Sequence, residues 1–108
     1  MKMTEKEKEI FEEHFSVHES EYANGLFYEL EAWTAGGVDM IITLSAEDDK
    51  TITQQFKEYA DSFDIDSEID VYRQDSRYRS AFTIRESVAD FEGWVGLIND
   101  VVAELAQQ

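Results

Sequence analysis

The sequence predicts an α+β fold, an antiparallel β-hairpin of two or three strands packed against about four helices. Three observations predict it. Two period-two runs flank a glycine pair, a broad apolar stripe of helical period ends the chain, and capping-box spacings precede further helical patterns.

Taken in order, Thr4 followed by Glu7 opens a first helix that is expected to run to about Val17. Its stripe of Ile10, Phe11, Phe15 and Val17 is narrow, as in a peripheral helix docked by a few side chains. Leu26, Tyr28, Leu30 and Ala32 then alternate with Phe27, Glu29, Glu31 and Trp33. After Ala35-Gly36-Gly37, Val38, Met40, Ile42 and Leu44 alternate with Asp39, Ile41 and Thr43, so the two runs form a hairpin. One hairpin face is apolar and needs covering by helices. The other mixes Phe27, Trp33 and Ile41 with carboxylates.

Thr51 and Gln54 repeat the capping-box spacing, and Ile52, Phe56, Tyr59, Ala60 and Phe63 make one face of a helix over 51–63. A short helix over 66–75 follows, and residues 76–86 form either a short third strand or a loop. Ser87 and Asp90 cap a last helix over 87–106, striped by Val88, Phe91, Val95, Ile98, Val102 and Leu105 and widened by Trp94, Leu97 and Val101. The expected core joins Leu26, Tyr28, Leu30, Met40, Ile42 and Leu44 to Phe56, Tyr59 and Phe63, and to Phe91, Val95, Ile98 and Val102.

Length suits a single acidic domain over 1–108, and 13% aromatic content suits a folded chain rather than a disordered acidic one. The net charge of −16 opposes direct binding to nucleic acid phosphates or anionic membranes, which need a positive footprint. Absence of cysteine removes thiolate chemistry and disulfides. The charged start "MKMTEKEKEIFEEHF" has no apolar signal core, and no run reaches the length of a membrane span, so a cytoplasmic location is expected.

The stretch from Glu47 to Asp75 holds ten carboxylates against three bases. It reads either as a solvated face of helices or as a mimic of a nucleic acid backbone, which carries roughly one charge per 1.7 Å. Under the second reading the partner-binding residues are Glu47, Asp48, Asp49, Asp61, Asp64, Asp66, Glu68 and Asp70. A calcium loop starting at Asp64 would need glycine where Ile69 stands and glutamate where Asp75 stands, so helix capping is preferred. His14 and His18 have a spacing that could bind metal from one helix face, but Phe15 stands where a metalloprotease helix has glutamate. They read as an ordinary pair, with no metal and no cofactor assigned. Arg73, Arg77, Arg79 and Arg85 tie the chain to its own carboxylates or form a contact site for an acidic partner or protomer. No nucleophile elbow, P-loop or dinucleotide fingerprint occurs, so no catalytic residue is assigned and no enzyme is expected.

The segments "GGVDMIITL", "FKEYADSFDIDSEIDVYRQD" and "TIRESVADFEGW" resemble small acidic accessory proteins of bacterial mobile elements and phages, over about residues 25–95. That resemblance implies an antirestriction or anti-CRISPR setting, in which several proteins act as DNA mimics; it carries over no site residue. The expected function is a non-enzymatic protein-binding module, in its most concrete form a DNA-mimic inhibitor of a basic, nucleic-acid-binding host-defence nuclease. The alternative is a structural or homo-oligomerising protein, such as a homodimer, that uses an apolar helix or sheet face.

Overall fold

The computed structural model describes residues 1–34, 37, 39–62 and 84–108, with the side chains of the last helix described from residue 89. The described elements are α1 (Glu5–Glu12), β1 (Ser16–Tyr22), β2 (Gly25–Trp33), β3 (Asp39–Ser45), α2 (Ile52–Asp61) and α3 (Ile84–Leu105). The class is α+β, with three helices and one three-stranded antiparallel sheet among the described residues, in the order β1-β2-β3. The expected helix over 66–75 lies outside the described residues, as do Phe63 and Arg73, Arg77 and Arg79. Of the segment 76–86, only 84–86 are described, and they are helical.

The β2–β3 hairpin follows the period-two pattern. Tyr28 pairs with Leu44, Leu30 with Ile42 and Ala32 with Met40, which puts the alternating apolar residues on one face. At the reversal, Gly37 has φ +84 and donates its N–H to the Thr34 carbonyl at 3.0 Å.

Residues 16–22 correct the expectation of a helix to Val17. The α1 helix stops at Glu12, and Ser16–Tyr22 pairs with β2 from Ser16 opposite Glu31 to Tyr22 opposite Gly25. A thin apolar stripe gives a helix little reason to continue, whereas β-branched Val17 gains a partner in Leu30 and alternate strand amides gain ladder bonds to β2. The turn into β2 depends on Gly25, whose φ of +120 suits only glycine. A Cβ there would also lie 2.2 Å from Cγ of Glu47, whose Oε1 accepts the Leu26 N–H at 3.2 Å.

All three helices pack on the apolar sheet face. Phe11, Phe15, Phe56 and Trp94 interlock with neighbouring ring centroids 5.3–6.4 Å apart, over Tyr28, Leu30, Ile42 and Leu44. Ile10, Ile52, Ile98, Val101 and Leu105 complete this cluster. The core is therefore richer in α1 than expected, and Leu26, Met40, Tyr59 and Val102 are half-buried at its margin. Phe91 and Val95 are buried beside the main cluster, which uses the width of the α3 stripe. The α3 helix begins three residues before Ser87, so Ser87 is an interior helix position and not its cap.

Both capping boxes form. In α2, Thr51 Oγ1 accepts from Gln54 N at 3.0 Å and Gln54 Oε1 accepts from Thr51 N at 3.0 Å. Gln55 then grips the end of β3, accepting from Ser45 N and donating to the Ser45 carbonyl, at 2.9 and 2.8 Å. In α1, Glu7 closes the box with Thr4 N at 2.8 Å and does more. Its second oxygen accepts from Thr53 N at 2.8 Å and Thr53 Oγ1 at 2.6 Å, in the first turn of α2. Thr53 Oγ1 in turn accepts from Gln108 Nε2 at 2.7 Å. One carboxylate, 3% exposed, thus joins two helix N-termini and, through a hydroxyl, the end of the chain.

Burial alone would raise the Glu7 carboxyl, but its hydrogen bonds to Thr4 and Thr53 outweigh burial and hold it below the ordinary value of 4.5. A lowered folded-state value stabilises the fold above pH 4.5, and the contribution is lost as pH falls through the folded-state value. Substituting Glu7→Gln is expected to cost roughly 1.5–3 kcal/mol at neutral pH. Urea unfolding measured from neutral pH downward should show the gap to wild type narrowing below pH 4.5. A gap independent of pH would contradict this assignment.

Candidate functional site

The sheet has a second face, which no described element covers. Strand alternation puts Ser16, His18, Ser20 and Tyr22 of β1 on it, with Phe27, Glu29, Glu31 and Trp33 of β2 and Asp39, Ile41 and Thr43 of β3. Trp33 is 66% exposed, Tyr22 61% and Ile41 49%, an unusual concentration of exposed large apolar side chains. They occupy the two ends of the face. Tyr22 meets Phe27 edge-to-face at 5.8 Å, and Trp33 and Ile41 flank the other end.

Carboxylates fill the middle. Glu29 accepts a hydrogen bond from Ser20 Oγ at 2.8 Å, and Glu31 lies 3.5 Å from His18 Nε2. Asp39 is exposed opposite Trp33. Glu19 and Glu21 of β1 belong to the other face by register, yet both are exposed. The three strands together carry five carboxylates and no lysine or arginine. This sheet is therefore an electronegative surface with aromatic side chains, which can pair with guanidinium and ammonium groups and stack against them.

Of the sequence-predicted partner residues, four are described. Glu47, Asp48 and Asp49 are exposed in the loop between β3 and α2. Glu47 is engaged with Leu26 N, and Asp48 Oδ1 accepts from Lys50 N at 2.8 Å, shaping the turn. The neighbouring Lys50 pairs with Glu58 at 2.8 Å, and that carboxylate holds its ammonium above the usual lysine range. Asp61 ends α2, about 15 Å along the helix from the loop. Asp64, Asp66, Glu68 and Asp70 lie outside the described residues.

His14 and His18 do not share a helix face. His18 is in β1 on the open face, whereas His14 follows α1 and meets Glu104 of α3. The open face was legible in part, since Phe27, Trp33 and Ile41 occupy the odd positions of the alternating runs. Its β1 contribution was missed, and the overlooked signal is Asn24-Gly25, a strong hairpin dipeptide. At one end of the sheet, Trp33 and Thr34 line a pocket of about 210 Å³ with Asp90, Trp94 and Leu97 of α3. That volume is below the usual range of small-molecule sites, roughly 300–1,000 Å³. The sheet face is the larger candidate.

Among the described residues, no helix is long and apolar enough to cross a membrane. No protein-family model matches the chain, and no curated protein or solved structure matches it.

The two tryptophans should separate surface from core. Replacing Trp33 or Ile41 by alanine is expected to change stability by about 0.5 kcal/mol or less. Trp94→Ala, which empties part of the aromatic cluster, should cost roughly 3–5 kcal/mol in denaturant unfolding. Equal costs at Trp33 and Trp94 would show that the sheet face is packed rather than open.

Proposed function

We propose that this chain is a non-enzymatic protein-binding module whose acidic surface engages a basic, nucleic-acid-binding protein. The observation that carries the proposal is the lysine- and arginine-free sheet, with Glu29, Glu31 and Asp39 on a face that no described element covers, bordered by Tyr22, Phe27, Trp33 and Ile41. Clefts that bind phosphates present lysine and arginine at close spacing. Carboxylates held on a sheet occupy such cations competitively, and the aromatic rings add cation–π contact. Inhibition of a host-defence nuclease by DNA mimicry is the most concrete form of this activity, and it belongs in the cytoplasm. The loop acids Glu47, Asp48 and Asp49 extend the negative field beyond the strands.

A second reading follows from the exposed apolar side chains. Here Trp33, Ile41, Phe27 and Tyr22 bury against a second copy of the chain or a scaffold partner, and the acid serves solubility.

Salt separates the two. The immobilised chain is expected to capture nucleic-acid-binding proteins from a bacterial lysate at low salt, and to release them at high salt or on adding duplex DNA. The variant Glu29→Gln/Glu31→Gln/Asp39→Asn should weaken that binding by roughly 10–100-fold at low salt. Loss on neutralising Glu47, Asp48 and Asp49 instead would move the site to the loop. Capture that survives high salt and ignores DNA would overturn the acidic reading in favour of the apolar one.

A further inference from the structure

Away from the sheet face, the ends of two helices meet. Glu13 is the C-cap of α1, His14 follows it, and Glu104 stands in the last turn of α3. Helix C-termini carry partial negative charge, and each normally gains from a lysine or arginine nearby. Neither helix has a basic residue in its last turn, and two of the side chains present are themselves carboxylates. The junction thus gathers two dipole ends and two acids around one imidazole.

Three potential ligand groups converge there. Nε2 of His14 lies 3.1 Å from Oε1 and 3.1 Å from Oε2 of Glu104. One ligand atom from each of Glu13, His14 and Glu104 falls within 4.8 Å of the others. Tetrahedral zinc with bonds of about 2.0–2.1 Å spaces its ligand atoms about 3.3 Å apart. The His14–Glu104 separation already has nearly that length, and a side-chain rotation of the exposed Glu13 would close the third edge. His14 and Glu104 are half-buried, so their positions are held by the fold.

We infer that Glu13, His14 and Glu104 form a binding site for one zinc ion, which clips the end of α1 to the end of α3. Zinc takes the place of the proton between Nε2 and the Glu104 carboxylate, and water fills the fourth position. Mixed imidazole and carboxylate donors favour zinc over calcium or magnesium, which prefer all-oxygen shells. The ion neutralises the charge that the two helix ends bring together. This site is separate from the sheet face and does not depend on the partner proposed for it.

The test uses the full chain after chelator treatment, followed by thermal unfolding and isothermal titration with zinc chloride. One zinc per chain and a raised melting temperature are expected. Zinc affinity should fall at least tenfold in His14→Ala and in Glu104→Gln. Calcium or magnesium at the same concentration should leave the melting temperature almost unchanged. If His14→Ala fails to fold, Glu104→Gln and Glu13→Gln carry the comparison. No zinc response in the wild type, an undiminished response in these variants, or an equal response to calcium would each overturn the inference.

Discussion

The Glu7 carboxylate is the constraint around which the helices are arranged. It is almost fully buried, and its two oxygens accept from Thr4 N, Thr53 N and Thr53 Oγ1. An ionised group in such a place is tolerated only when donors replace water. Here two helix N-termini do so, and the positive ends of both macrodipoles favour the charge. Once Glu7 is placed, α1 and α2 must start side by side. Phe11 of α1, Phe15 just beyond it and Phe56 of α2 then converge on one side of the sheet.

That one-sided arrangement sets the proposed binding surface. With α1, α2 and α3 on the same face, the opposite face keeps its carboxylates and its large exposed side chains, and none of its strand positions supplies a lysine or arginine. Burial and exposure are divided by strand parity: even positions of β2 enter the core, and odd positions face outward. A one-residue slip in register would exchange them. Tyr28 and Leu30 hold that register from within the core.

Much of the fold was legible because its signals are local. The β2–β3 hairpin shows in strict alternation around glycine, and Thr4 with Glu7 and Thr51 with Gln54 show as capping boxes. What escaped depends on distance along the chain. The first strand has glutamates at Glu19 and Glu21 on its inward parity, so it lacks the apolar alternation that marks a strand, while Ile10, Phe11 and Phe15 prolong a helical rhythm up to its edge. Glu7 could be read as a cap, but not as a ligand of Thr53, which lies 46 residues away. The candidate site divides the same way. Phe27, Trp33 and Ile41 announce an uncovered face, whereas the acid density of 47–75 drew attention from the sparser Glu29, Glu31 and Asp39, which only pairing with β1 and β3 brings together.

The central claim is that the described helices cover one sheet face and leave the large side chains of the other exposed. Acrylamide quenching of single-tryptophan chains tests it most directly, with Trp94→Phe reporting on Trp33 and Trp33→Phe reporting on Trp94. The account predicts quenching of Trp33 close to that of a free indole and strong protection of Trp94. Equal protection of both would mean that the face is covered, and the account would fail.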